Sequence, residues 1–314
     1  MTALAPPGSG YGLRHVLYPY GTADQYLAGT LAYIDRARAF GAAVLISVPE
    51  VRRDLLQPHL TGHAVAFLDT GALGRNPGRL IPAWQEWVAE HQRDGRAVHA
   101  VSESTWTGRT AAELSELRYH EWLLNRAFAQ APAWSLLCPY DTSDQPADGV
   151  QTLGRMHQWL WDGADYVPGA DYDQGPYSFE PYGEPCDPYE EIPYTSGDLA
   201  ALRRKVAACA HAHHLPPQRL HDLQLAVTEI AANSIRYGGG SGTLRIWVQD
   251  GAMVCDLRDT GVIADPLAGR IRPTAAQSGG RGLWFANQVC DLVEIRSTES
   301  DGTHIRLHVD LPRE

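Results

Sequence analysis

The sequence predicts two fold classes in one chain, an α/β unit followed by an α+β unit. Three observations carry this reading. Short apolar runs alternate with amphipathic stretches in the first half of the 314 residues. A segment dense in proline, tyrosine and acid interrupts the pattern at 162–197. Beyond it, two helical stripes give way to segments whose hydrophobicity alternates with period two.

In the first half, the apolar runs Ala42–Val48, Val65–Leu68, Ala97–Val101 and Trp134–Leu137 have the length of buried strands. Between and around them, Asp24–Phe40, Glu50–Leu60, Ile81–Arg93 and Ala111–Ala129 show helical spacing. Strands alternating with helices of this length build βαβ units. A doubly wound parallel sheet over about residues 11–161 is expected.

Six prolines and six tyrosines fall between Asp162 and Thr195, and no Lys or Arg occurs between Arg155 and Arg203. Proline at this density forbids helix and central strand. The segment reads either as an acidic linker over 162–197 or as an ordered strap whose tyrosines pack on a neighbouring domain.

From residue 198 to 314, Leu199, Leu202, Val206 and Cys209 form one helical stripe, ended by Pro216-Pro217. Leu220, Leu223, Val227 and Ile230 form a second, closed by Gly238-Gly239-Gly240. Leu244, Ile246 and Val248 then alternate with polar neighbours, and Asp250-Gly251 signals a hairpin. Thr303 to Leu311 alternates in the same way. Helices on one side of an antiparallel sheet make a sandwich.

A net charge of −11 argues against a direct nucleic-acid binder. No apolar run reaches the roughly 18 residues that span a bilayer. The first residues lack a signal-peptide core, and the five cysteines form no Cys-x-x-Cys. A soluble, cytoplasmic protein is expected.

The residues that carry chemistry cluster in the second unit. Glu229 and Asn233 are four apart, so they share a helix face offset from the core stripe. A carboxylate and an amide so stacked suit a hydrated Mg²⁺, which keeps most of its waters. Asp259-Thr260-Gly261 ends a strand with an acceptor for an exocyclic amine, and Gly261 leaves room for a ring. Gly279-Gly280-Arg281-Gly282-Leu283 enters a helix and exposes backbone amides suited to phosphate. Gly302-Thr303 opens the last strand. Arg270, Arg272 and Arg281 are candidate cations for a triphosphate, the first two reading equally well as a solvated lid. His211, His213 and His214 read as helix-capping residues.

In this order and spacing, the set resembles the N, G1 and G2 boxes and the terminal Gly-Thr of the GHKL ATPase fold, over about residues 198–314. Within that superfamily it is most similar to the anti-sigma serine kinases. The resemblance implies ATP and Mg²⁺ as ligands. Asn233 would hold the metal, Asp259 and Gly261 the adenine, and Gly280, Arg281, Gly282 and Leu283 the phosphates, with Thr303 closing the set. Glu229 would be the general base toward a partner serine. The implied partners are a sigma factor, a STAS-type anti-sigma antagonist, or both, with a homodimer compatible. Two departures stand out. The second glycine of Asp-x-Gly-x-Gly is Ile263, and the usual His after the N box is Tyr237. A catalytically silent ATP-binding scaffold is therefore weighed as an alternative. A histidine kinase is weighed too, but the chain offers no phosphoacceptor His on a dimerising helix pair.

The first unit has no P-loop motif. Its local clusters are His15-x-x-Tyr18, Asp69, Gly74-Arg75-Asn76-Pro77, Trp106-x-Gly108-Arg109, His120-Glu121-x-x-x-Asn125 and Cys138-Pro139-Tyr140-Asp141. This pattern resembles the MEDS sensory domain, a relative of the RecA-like core without its phosphate loop, over about residues 13–161. His15, His120, Glu121 and Cys138 are the candidate sensory residues. For each, a buried or surface structural role is the competing reading. A signal-receiving domain fused to an anti-sigma-type ATPase domain is the function expected.

Overall fold

The computed structural model describes residues 12–312 except 63–64, 69–72, 74, 94, 144–146, 181, 184, 186–188, 276 and 278. Asp69, Gly74 and Cys186 lie outside the described residues. The chain divides into two units, Met1–Leu73 with Ala83–Tyr177, and Gly74–Pro82 with Ser178–Glu314. Both expected fold classes hold.

Among the described residues, the first unit is built on seven strands in the order β3-β2-β4-β5-β1-β6-β7. These are β1 (Leu13–Tyr20), β2 (Ala43–Ser47), β3 (Val65–Phe67), β4 (Val98–Ser102), β5 (Trp134–Asp141), β6 (Trp159–Trp161) and β7 (Tyr166–Pro168). All neighbours pair parallel except β6 and β7. The helices are α1 (Ala23–Ala39), α2 (Glu50–Leu56), α3 (Leu80–Gln92), α4 (Ala111–Ala127) and α5 (Ala147–Gly154). Thr22 caps α1 by accepting from Gln25 N, and Thr110 with Glu113 forms a full capping box on α4. Tyr26, Tyr33 and Ile34 of α1 bury against Val16, Val44, Ile46, Val101 and Leu137 of the sheet. Gly29 lies where a Cβ would collide with the Tyr18 ring, so only glycine lets α1 approach β1 this closely.

His99, on β4, is buried, and among the described residues neither ring nitrogen has a hydrogen-bond partner. Burial, with Arg14 and Arg36 nearby, lowers its pKa to about 4. A folded pKa below the unfolded value of roughly 6.5 means the proton prefers the unfolded chain. The contribution is complete above pH 6.5 and is lost as pH falls toward 4. The slope is about 1.4 kcal/mol per pH unit. His99→Phe should therefore be close to neutral at pH 7 and flatten the stability profile between pH 6.5 and 4. Denaturant melts of both proteins across that range check this, and parallel profiles would contradict it.

The second unit carries β8 (Glu190–Tyr194), β9 (Gly242–Gln249), β10 (Ala252–Asp259), β11 (Leu292–Thr298) and β12 (Gly302–Asp310). They form an antiparallel sheet in the order β11-β12-β10-β9-β8. Its helices are α6 (Leu199–Ala212), α7 (Pro217–Tyr237) and α8 (Arg281–Val289). Asp250 and Gly251 both have positive φ, 51° and 75°, the conformation that a two-residue hairpin turn needs between β9 and β10. Leu202, Val206, Leu223, Val227 and Ile230 pack on Met253, Cys255, Leu257, Ile305 and Leu307, which places the core between helices and sheet. Residues of the Gly74–Pro82 piece cap the end of α8. Arg79 donates from Nε to Asn287 O at 2.8 Å and from Nη2 to Cys290 O at 2.6 Å.

Residues 162–197 supply an edge strand to each sheet, β7 to the first and β8 to the second. Pro168 and Pro193 are tolerated there because an edge leaves one side of the ladder unpaired. Each of the six tyrosines is engaged. Tyr166 is buried, Tyr172 accepts from Gln158, and Tyr177 meets Tyr119 with ring centroids 4.9 Å apart. Tyr182 lies under Arg296 and Arg306, Tyr189 lies under Arg245, and Tyr194 is buried.

Candidate functional site

Three pieces of the second unit converge at one end of the sheet. The C-terminal end of α7 closes onto the turn that follows β10. A Cβ on Gly238 would collide with the Asp259 carboxylate, and one on Gly261 would sit 2.8 Å from Gly238 Cα. Glycine at both positions is what lets helix and turn meet. Asp259 Oδ1 accepts from Gly261 N at 2.8 Å and thereby shapes the turn. Among the described residues Asp259 Oδ2 takes no hydrogen bond, so one carboxylate oxygen is left for an outside donor.

A hydrogen-bond relay fixes the turn from below. Ile263 N donates to Ser297 Oγ at 2.8 Å, the Ser297 and Thr303 hydroxyls are 2.7 Å apart, and Thr303 Oγ1 donates to Gly261 O at 2.9 Å. Since the Thr303 proton goes to Gly261, Ser297 is the donor between the hydroxyls. Thr303 is buried and stands opposite Asp259 in the β10–β12 ladder. It reaches the site through Gly261. The Ile263 side chain packs against the hydrophobic core, which accommodates isoleucine where the resembled Asp-x-Gly-x-Gly pattern has its second glycine.

The third piece is the first turn of α8. Gly280 is its N-cap, left-handed at φ 85°, and among the described residues no side chain caps the helix. The first amides of a helix lack intrahelical acceptors and sit at its positive end. Gly282, in that turn, is buried against α7. A Cβ there would lie 3.1 Å from Glu229 Oε2 and 3.4 Å from Asn233 Nδ2. Glu229 is exposed and Asn233 half-buried. Leu283 is buried in the core, whereas Arg281 and Arg272 are exposed and Arg270 is fully buried. Full burial removes Arg270 from any solvated lid. Sequence reasoning missed Asn287, which holds the loop before α8 by donating to Gly269 O at 3.0 Å.

A cleft of 570 Å³ opens beside the same turn, bordered by Tyr194, Asp198, Arg258, Asp259, Thr260 and His304. It shares Asp259 with the constellation but contains neither Glu229, Asn233 nor Gly282.

In the first unit, His15, Glu121 and Cys138 come together, joined by His157, which the sequence reading did not single out. His120 is buried on α4 but is not part of that group. A second set gathers at the carboxyl ends of the strands. Arg52 pairs with Glu103 at 3.3 Å and with Asp141 at 2.8 Å, and Tyr20 donates to Glu103 at 2.5 Å. Nothing in the local sequence around Arg52 or Glu103 announces it.

Residues 14–158 match the family model described as MEDS, the methanogen/methylotroph, DcmR sensory domain, and residues 192–309 match that of the histidine kinase-like ATPase domain. Among solved structures, the RsbU and RsbW domains of Rv1364c from Mycobacterium tuberculosis align at 15% identity with a TM-score of 0.31. The alignment covers 41% of this chain and 34% of that one. No curated protein matches the sequence. Among the described residues, no helix is long and apolar enough to cross a membrane. The chain thus carries a MEDS domain at its N-terminus and a histidine kinase-like ATPase domain at its C-terminus.

Proposed function

We propose that the chain is an ATP-dependent regulator of the anti-sigma type, in which the MEDS domain receives a signal and the ATPase-type domain engages a sigma factor or its antagonist. The observation that carries the reading is the seating of Gly282 against Glu229 and Asn233, on the same helix whose C-terminal end meets the Asp259 turn. A Cβ at Gly282 would fill the space between the two helices, and one Asp259 oxygen stays free for an amine. The residues present fit adenosine triphosphate with Mg²⁺.

Asp259 Oδ2 would accept from the exocyclic amine of adenine, and the first-turn amides of α8 would meet the phosphates with Arg281. Asn233 would hold Mg²⁺, which when bound screens the triphosphate charge. Glu229 lies one helical turn from Asn233, positioned to take the proton of a partner serine hydroxyl. The serine oxygen would then bond to the terminal phosphorus as the bond to the diphosphate leaving group breaks. Asn233 orients, Glu229 moves the proton, and α8 neutralises.

Capture from a lysate on the immobilised full chain, with and without ATP, tests the reading. The expected result is nucleotide-dependent retention of a sigma factor or a small serine-bearing antagonist. Capture indifferent to ATP, or of neither class, would count against it.

A further inference from the structure

His15, Glu121, Cys138 and His157 lie far apart in sequence and meet inside the first unit. The β1–β5 register pairs His15 with Leu136 and Leu17 with Cys138, so His15 and Cys138 face the same side of the sheet. Glu121 comes from α4, and His157 from the turn between α5 and β6. His15 Nε2 is 3.2 Å from Glu121 Oε2 and 3.3 Å from Cys138 Sγ. Glu121 Oε2 is 3.6 Å from His157 Nε2 and 3.9 Å from Cys138 Sγ. All four ligand atoms lie within 4.8 Å of one another, and all four residues are buried. In a tetrahedral zinc site with bonds of roughly 2.0–2.3 Å, neighbouring ligand atoms stand about 3.3–3.6 Å apart.

The orientation of His157 is the second observation. Its Nδ1 donates to Leu153 O at 2.8 Å, so Nε2 carries a bare lone pair. Among the described residues that nitrogen has no hydrogen-bond partner, though it is completely buried. It faces a carboxylate oxygen, an arrangement of two acceptors that a cation between them would resolve. A backbone carbonyl fixing Nδ1–H is how metal-bound histidines are commonly oriented. The turn before His157 is itself pinned, because Asn125 Nδ2 donates to Met156 O at 2.7 Å.

We propose that His15, Glu121, Cys138 and His157 form a closed four-ligand site for a borderline divalent transition ion, zinc foremost. Two imidazoles, a thiolate and a carboxylate suit that class of ion better than Mg²⁺ or Ca²⁺. The charges balance: Cys138 gives up its proton to solvent on binding, and thiolate plus carboxylate neutralise the ion's two positive charges. Both histidines are completely buried. With no open position, the ion would tie β1, β5, α4 and the turn before β6 together rather than activate water.

The test uses the full chain made without a polyhistidine tag. Elemental analysis should find about one zinc per chain. Stripped protein titrated with Co²⁺ should develop intense visible bands of a tetrahedral ion and a near-ultraviolet thiolate charge-transfer band. Cys138→Ser should lose the charge-transfer band. His157→Gln should weaken Co²⁺ binding by more than the 10–100-fold typical of outer-shell losses. Wild-type protein without stoichiometric metal and without a saturable cobalt spectrum would overturn the proposal. So would a charge-transfer band that persists in folded Cys138→Ser.

Discussion

Asp259→Asn should leave the fold intact and weaken ATP binding by roughly 30-fold, since a hydrogen bond to a charged group is worth about 2 kcal/mol. The reason is local. Asp259 Oδ1 accepts from Gly261 N. An asparagine can keep that bond with its own oxygen, so the turn survives. Its amide nitrogen then replaces Oδ2 and presents a donor to the adenine amine, which is also a donor. Calorimetry on the variant, with circular dichroism to confirm folding, measures the loss. Unchanged affinity in a folded variant would remove Asp259 from the site. Asn233→Ala should behave differently, with ATP still binding but responding little to Mg²⁺.

The second large effect concerns phosphate transfer. Glu229→Gln should retain ATP yet slow transfer to an antagonist serine by about 10²–10⁴-fold, the range for losing a general base. The α7 helix contains just two acidic residues, Asp222 and Glu229. Only Glu229 adjoins Gly282 and stands one turn from Asn233. Glutamine preserves the shape and the packing but cannot take the proton. Radiolabelled ATP with a purified antagonist reads the rate. Transfer by the variant at the wild-type rate would exclude Glu229. No labelling by either protein would favour the silent scaffold.

Much of this architecture was legible where one force dominates. The stripes on α6 and α7 each face one core, so helical periodicity found them. Asp250-Gly251 announced its hairpin because both positions need positive φ. The strand β1 was hidden, since Arg14, His15 and Pro19 break its apolar run although it pairs with β5 on one side and β6 on the other. The edge strands β7 and β8 were hidden by their prolines. In the ATPase-type domain, the constellation could be read from spacing because two helices and one turn deliver it. Its support could not. The Ser297–Thr303 relay and the Asn287 anchor depend on strands and loops meeting across long sequence separations. His157 was missed for the same reason, as a lone histidine in a turn whose partners come from β1, α4 and β5.

The central claim is that the end of α7, the Asp259 turn and the first turn of α8 together hold a nucleotide. Its most direct measurement is calorimetric titration of the full chain with ATP, in Mg²⁺ and again in excess chelator. Saturable one-site binding in Mg²⁺ that weakens when the metal is withdrawn is the expected result. Heats indistinguishable from dilution under both conditions, with folded protein in the cell, would contradict it.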